Sequence, residues 1–213
     1  MTDSPTFARN AAEFAGFSLS DDQVETLEAY AAWLGHEAIP AGGLGPREGG
    51  RLWGRHVGDS LVFAAGWYEA PIEILDIGSG VGLPGIPLAI LWPDTAVTLL
   101  DRGGRRTRLL VRAIRVLGVE NVTIAKGDAF DVADEWSGLT FRGAVTPPEA
   151  VGLASRLLTD EGVAVLGLSR RPERPDRGDD LVSIASGLGL EATLIEVPDS
   201  VLGGPAWLLR IGR

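Results

Sequence analysis

The chain has 213 residues, 45% of them hydrophobic, no cysteine and a formal net charge of −10. That length is most simply one domain (1–213), divided into an N-terminal helical extension (1–70) and a core (71–213). The absence of cysteine excludes disulfides and thiolate metal sites, and two histidines, His36 and His56, are too few for a multi-histidine metal centre.

No apolar run approaches the roughly 18 residues that span a bilayer. The start, Met1-Thr2-Asp3-Ser4, has no basic-then-apolar leader. The expected location is the cytoplasm, with no membrane partner and no metal. The acidity argues against tight non-specific binding to nucleic acid, which rests on neutralising phosphates.

Residues 6–16 read as a short helix. Ser20-Asp21-Asp22-Gln23 has the form of a capping box, with Ser20 as N-cap and Gln23 reaching back. Val24, Leu27, Ala31 and Leu34 follow at helical spacing, and Gly35 is expected to stop the helix. Gly45-Pro46-Arg47-Glu48 opens a third segment, which carries Arg51, Trp53, Arg55, His56 and Asp59. Gly49, Gly50, Gly54 and Gly58 each disfavour helix by about 1 kcal/mol relative to Ala, which predicts a broken or mobile helix. Arg55 and His56 are candidates for a substrate entrance there. A hydrogen-bonded packing role for His56 is the plainer alternative.

Strands and helices then alternate. Strands are predicted over 73–77, 97–101, 122–126, 143–146, 163–168, 192–197 and 207–211. Helices are predicted over 83–92, 105–117, 149–158 and 181–188, with a Pro- and charge-rich loop over 169–180. This pattern is an α/β fold, with a mostly parallel seven-stranded sheet covered by helices on both faces. The last two strands have no helix between them and should pair antiparallel.

The most informative stretch is Ile74-Leu75-Asp76-Ile77-Gly78-Ser79-Gly80-Val81-Gly82-Leu83-Pro84-Gly85. A strand end, a glycine turn and a helix start form a site for nucleotide-like cofactors. The Gly80–Gly85 spacing alone is a weak signal. Asp76 sharpens it, because a carboxylate there suits a cationic ligand better than an anionic pyrophosphate. S-adenosylmethionine (SAM) carries an ammonium and a sulfonium and no phosphate. Asp101 ends the next apolar run about 20 residues on, the spacing at which an acid reaches ribose hydroxyls. Asp128-Ala129 follows the third strand, where an adenine amino group could be read. An N-cap role is the alternative for Asp128. Together these features resemble class I SAM-dependent methyltransferases with a Rossmann-like core. A dinucleotide-binding or non-binding Rossmann-like fold is the alternative.

One methyltransferase family is resembled more closely. The residues that carry the likeness are Gly45-Pro46-Arg47-Glu48, Arg51-Leu52-Trp53, Arg55-His56 and Asp59-Ser60-Leu61. To these are added Leu75 to Ile90, with its Gly-Leu-Pro-Gly-Ile-Pro run, and Leu99-Leu100-Asp101 with Arg105-Arg106. The chain resembles RsmG, also called glucose-inhibited division protein B, which uses SAM to methylate N7 of a guanine in small-subunit ribosomal RNA. The resemblance implies cofactor contacts at Gly78, Leu83, Ala129 and Phe130. It also implies basic residues near the RNA at Arg105 and Arg106.

The full cofactor set expected is Asp76, Gly78, Gly80, Gly82, Leu83, Asp101, Asp128, Ala129 and Phe130. The acceptor-side set is Arg55, His56, Arg105, Arg106 and Thr146. The product of the cofactor would be S-adenosylhomocysteine. The family also implies basic positions at the ends of the third, fourth and fifth strands. Along this chain they fall on Asp128, Thr146-Pro147-Pro148 and Leu168. A small-molecule or other non-ribosomal acceptor, or a non-catalytic binding role, is therefore the alternative function. Thr146-Pro147-Pro148-Glu149 is also a weak match to the Asn/Asp-Pro-Pro-aromatic motif of amino-methylating enzymes. Arginines cluster at positions 102, 105, 106, 108, 112 and 115, and again at 170, 171, 174 and 177. They form either solvated faces or a phosphate-contacting rim.

Overall fold

The structure is a computed structural model in which residues 4–170, 173 and 178–213 are described. Seven strands form one sheet: β1 (Glu73–Ile77), β2 (Ala96–Asp101), β3 (Val122–Lys126), β4 (Trp136–Phe141), β5 (Leu158–Ser169), β6 (Glu191–Val197) and β7 (Ala206–Gly212). Their order is β3-β2-β1-β4-β5-β7-β6. The first five are parallel, and β7 runs antiparallel to both β5 and β6. The α/β architecture and the antiparallel ending are as expected from sequence. The last strand adds its own detail by inserting between β5 and β6. The strand order reverses between β1 and β4, and in open α/β sheets ligands bind outside the carboxyl ends at such a point.

Alternation along each strand assigns the two faces. Ile74, Val97, Leu99 and Val165 face a layer built by α1 (Thr6–Phe14), α2 (Asp21–Trp33), α3 (Gly58–Leu61), α4 (Gly85–Leu91) and α5 (Gly104–Leu117). Leu75, Ile77, Phe141 and Leu166 face α6 (Pro147–Leu157) and α7 (Gly178–Gly187). A short helix not expected from sequence, α8 (Asp199–Leu202), buries Val201 and Leu202 in the first layer.

The capping box forms. Gln23 N donates to Ser20 Oγ (3.2 Å), and Ser20 N donates to Gln23 Oε1 (2.9 Å). Gln23 Nε2 donates onward to the carbonyls of Ile90 (2.8 Å) and Leu91 (3.0 Å), tying the start of α2 to the end of α4. Gly35 does not stop the helix. The chain continues as a π-helical turn, Leu34–Ala38, because both of those residues are fully buried and packing outweighs one weak helix former. The third segment is broken as predicted. It runs as a 3-10 turn (Glu48–Arg51), a π turn (Leu52–Val57), α3 and a second 3-10 turn (Val62–Gly66).

The fourth strand lies earlier than predicted. β4 ends at Phe141, and residues 143–146 form the loop into α6. Gly143 has φ +70° and Pro147 opens the helix, so neither end of the expected strand is extended ladder. Leu139, Thr140 and Phe141 pair instead with Leu75, Asp76 and Ile77. Gly138 sits where a Cβ would lie 2.7 Å from the Glu73 carbonyl, so no side chain fits there. Among the described residues, no helix is long and apolar enough to cross a membrane.

Candidate functional site

After Ile77 the backbone turns through Gly78 (φ +70°), Gly80 (φ +63°) and Gly82 (φ +102°), conformations that L side chains rarely adopt. The amides of Gly78 and Ser79 donate to the Leu100 carbonyl (2.8 and 3.1 Å), which couples the turn to β2. Beside it lies a cavity of about 270 Å³, bordered by the carboxyl ends of β1 and β2, the residues after β3, and Gly143-Ala144-Val145. Gly78, Asp101, Arg106, Asp128, Ala129 and Phe130 line it. A Cβ on Gly78 would lie 2.3 Å from the Ala144 Cβ, so only glycine lets the turn and residue 144 approach this closely.

Asp101 is nearly fully buried, and backbone groups hold it in place. Oδ2 accepts from Gly80 N (3.0 Å) and Oδ1 from Gly103 N (2.7 Å), with Arg106 Nη1 3.6 Å from Oδ2. Each carboxylate oxygen has a second lone pair, which leaves capacity for hydroxyl donors in the cavity. Asp128 accepts from Phe130 N (3.1 Å) as the cap of the 3-10 turn Ala129–Asp131, and it also lines the cavity. The cap role expected of it is met, and the same side chain borders the cavity. Phe130 also lines the cavity and is 54% exposed.

Four cofactor candidates sit elsewhere. Asp76 points to the α4 face of β1, as alternation dictates, and lines neither cavity described here. Its Oδ1 accepts from Thr140 Oγ1 (2.8 Å) and its Oδ2 from Gly85 N (3.0 Å). Asp76 therefore joins β1, β4 and the start of α4 beneath the turn. Leu83 is buried in the core, because it faces the layer under α4. Gly82 is packed against Ile86 and the Tyr30 hydroxyl, and Gly80 gives its amide to Asp101. These residues shape the turn and do not face the cavity.

Burial pushes the Asp76 carboxyl up to about 6, against the hydrogen bonds from Thr140, Ser79 and Gly85 that lower it. Its pKa is thus raised on folding from an ordinary value of 3.8. The stability this group contributes is full below about pH 4 and is lost as pH rises through about 6. At 1.36 kcal/mol per unit, that amounts to about 3 kcal/mol. In Asp76→Asn the amide oxygen can accept from Gly85 N, and the amide nitrogen can donate to Thr140. Urea unfolding from pH 4 to 7 should show the wild type losing about 3 kcal/mol relative to Asp76→Asn. A pH-independent difference would contradict this assignment.

The N-terminal helices hold the same turn. The Tyr30 hydroxyl donates to the Val81 carbonyl (2.9 Å), and Gly43 lies so close that a Cβ would be 2.5 Å from Val81 Cγ1. Tyr30 and Val81 are 51 residues apart, so no local sequence signal announces this clamp.

A second cavity, of about 960 Å³, adjoins the first, and Gly143 lines both. Arg55, His56, Asp59, Arg142, Arg170 and Trp207 are on its wall. Asp59 Oδ2 accepts from Arg55 Nη1 (3.0 Å) and Arg142 Nη2 (2.9 Å), and Oδ1 accepts from Arg170 Nη1 (3.2 Å). His56 Nε2 lies 2.9 Å from Glu48 Oε2. Burial pushes the Glu48 carboxyl up, but the hydrogen bonds from His56 and Arg51 outweigh it and hold the group below its ordinary value. Burial first, then Arg142, pushes His56 down. Glu48 is therefore an ionised acceptor, and His56 is a neutral imidazole donating through Nε2.

Three acceptor-side candidates are placed differently from expectation. Arg106 lines the smaller cavity and not the larger, because the start of α5 carries it to Asp101 (3.6 Å) at the end of β2. Thr146 is exposed at the start of α6, and its amide (2.8 Å) and hydroxyl (2.7 Å) donate to Glu149 Oε2. Thr146-Pro147-Pro148-Glu149 is a helix cap, because Pro at the first positions and Glu at the third satisfy the helix start. The Arg105 guanidinium donates to the Ala41 carbonyl and lines neither cavity, so it ties α5 to the N-terminal layer.

The expected basic positions also move. An arginine, Arg142, directly follows β4, and Arg170 directly follows β5. The position after β3 is acidic, as read. Arg142 was missed because the fourth strand was placed too late. On α5, Arg112 is paired with Glu37, while Arg108 and Arg115 are exposed. Arg171, Arg174 and Arg177 lie outside the described residues.

A family model described as rRNA small subunit methyltransferase G (GidB) matches residues 23–173. The Corynebacterium glutamicum protein named Ribosomal RNA small subunit methyltransferase G is 33% identical over 204 residues, covering 93% of this chain and 91% of that protein. The Mycobacterium avium protein of the same name is 41% identical over 125 residues, covering 59% of this chain and 50% of that protein. The matched chain thus spans about half the length of that relative. Among solved structures, Aeropyrum pernix fibrillarin with natively bound S-adenosyl-L-methionine is 18% identical. It superposes with a TM-score of 0.54 over 73% of each chain, which places this sheet and its helices in the class I SAM-dependent methyltransferase fold. With the family model covering most of the sequence and a relative matched nearly end to end, the chain belongs to the rRNA small subunit methyltransferase G family.

Proposed function

We propose that the protein uses SAM to methylate N7 of a guanine in small-subunit ribosomal RNA, leaving S-adenosylhomocysteine, in the cytoplasm. The observation that carries this reading is the pair of cavities meeting at Gly143. One is bordered by a glycine turn, two acids and the two arginines beside them, the other by three arginines gathered on Asp59. Family membership supports the RNA acceptor. Nothing in the comparisons supports a small-molecule acceptor. The helices of residues 4–66 belong to the same working unit as the sheet, since Tyr30 and Gly43 hold the turn.

The smaller cavity suits SAM. Asp101 and Asp128 each stand beside an arginine, Arg106 at 3.6 Å and Arg102 at 3.9 Å, and offer carboxylate acceptors to hydroxyl and amino donors of the cofactor. Asp101 would accept from ribose hydroxyls. Asp128 with the Ala129 backbone would take the adenine edge, and Phe130 would lie against the adenine ring. Bound SAM supplies an electrophilic methyl carbon on a sulfonium. Guanine N7 carries a lone pair in the neutral base, so its attack requires no proton removal. The chain accordingly needs no general base, and His56 is assigned none. What the residues contribute is alignment of N7, methyl carbon and sulfur in line. The acceptor would enter the larger cavity, which shares Gly143 with the smaller one.

Asp101→Ala is expected to weaken SAM binding by about 1–3 kcal/mol through lost charge-assisted hydrogen bonds. Unchanged affinity by calorimetry would remove Asp101 from the cofactor site. To test the acceptor, methyl-labelled SAM is offered with host extract and with small ribosomal subunits lacking the modification. Label in the subunit RNA is expected. Label confined to small molecules or protein would overturn the proposed acceptor.

A further inference from the structure

The arginine cluster on the larger cavity has an excess of positive charge that the fold itself does not use. Arg55 comes from the broken helical segment, Arg142 from the end of β4 and Arg170 from the end of β5, yet all three converge on Asp59. The Asp59 side chain is 9% exposed, and those of Arg142 and Arg170 are 18% and 21% exposed. Glu173 also lines the cavity, which leaves the guanidiniums in the majority among the described residues. Partly buried cations without matching anions are unfavourable unless a ligand supplies the charge.

The geometry points the same way. Each guanidinium is engaged through one terminal nitrogen: Nη1 of Arg55, Nη2 of Arg142 and Nη1 of Arg170. The other arm of each planar fork has no hydrogen bond among the described residues, and a guanidinium fork matches the oxygens of a phosphate. Burial draws the Arg170 pKa down against the pull of Asp59, as expected for a cation short of counter-charge.

We propose, on the reading that the acceptor is RNA, that Arg55, Arg142 and Arg170 form a phosphodiester subsite that grips the backbone beside the target guanine, with Asp59 as the positioning residue that gathers them. Asp59 touches neither cofactor nor base in this assignment. It fixes one arm of each fork so that the other faces the cavity. Such a subsite reconciles a net charge of −10 with an RNA substrate, because attraction is concentrated at one point and not spread over the surface.

The test uses a labelled RNA hexanucleotide with a single guanine, and the same oligomer with uncharged methylphosphonates in place of the two phosphates flanking that guanine. Affinity is read by fluorescence anisotropy with the full chain saturated with S-adenosylhomocysteine. The charged oligomer is expected to bind wild type about tenfold or more tightly than the uncharged one. That ratio should fall below about twofold in Arg142→Gln and in Arg170→Gln. Asp59→Asn should lower affinity for the charged oligomer and leave the uncharged one unchanged, which a merely structural role would not do. Thermal melts of each variant separate misfolding from lost contacts, and Arg170→Gln at the end of β5 is the safer of the two. Equal binding of both oligomers by wild type, or no binding of the charged one, would overturn the subsite. So would displacement by micromolar inorganic phosphate, which would make a free anion the ligand. SAM affinity measured alongside tells the two levels apart. Normal SAM binding with no phosphate dependence removes only the subsite, whereas absent SAM binding removes the methyltransferase reading itself.

Discussion

Replacing Arg142 with alanine is expected to lower kcat/KM for methyl transfer to small-subunit RNA by about 10- to 100-fold, with SAM affinity changed by less than about threefold. The magnitude follows from losing hydrogen bonds to a charged group, about 1.5–3 kcal/mol. Arg142 donates to both the Arg55 carbonyl and Asp59, so its removal loosens β4 from the helical segment that forms the opposite wall. It lines the larger cavity and not the smaller, which is why the two constants should separate. Steady-state kinetics with labelled SAM, set beside calorimetry, checks this. Equal losses in SAM affinity and turnover would mean that Arg142 supports the cofactor side.

Gly78→Ala should have the larger effect on the protein as a whole. The new methyl would sit in a left-handed backbone conformation, costing about 1–2 kcal/mol. It would also meet the Ala144 Cβ at 2.3 Å, and overpacking of that kind costs about 1–3 kcal/mol. The chain must either lose about 2–5 kcal/mol of stability or push residues 143–145 away. The second route deforms both cavities, because Gly143 lines each of them. Chemical denaturation and SAM titration should therefore both change. A variant of wild-type stability and affinity would show that the turn has slack that the geometry denies.

The contrast between these two positions shows what sequence could reveal. Gly78 and Asp101 belong to a local signal, a glycine turn after one strand and an acid at the end of the next, and their spacing alone brings them to one cavity. Asp128 was legible for the same reason, since it lies two residues past the end of a strand. Asp76 was readable as part of the motif but not in its role. Only the face it takes on β1, with Gly85 N above and Thr140 alongside, makes it a buried tie. Leu83 was likewise assigned by position in the motif, while packing under α4 decides where it goes.

The acceptor side was less legible because its contacts are distant in sequence. Asp59 and Arg170 are separated by 111 residues, and Arg142 and Asp59 by 83. No local spacing encodes such a cluster. One misplaced strand was enough to hide Arg142, because reading 143–146 as β4 put Thr146 where the arginine belongs. Thr146 and Arg105 are the converse. Both carry plausible chemistry, yet one completes a helix cap and the other bonds the Ala41 carbonyl.

The most direct test of the central claim is the identity of the labelled nucleoside. Small ribosomal subunits lacking the modification are incubated with the protein and methyl-labelled SAM, and the RNA is then digested to nucleosides and separated by chromatography with mass detection. The account predicts that the label co-elutes with 7-methylguanosine, at no more than one per subunit. Label in any other nucleoside, or a protein that binds SAM and transfers nothing to the subunit, would contradict it.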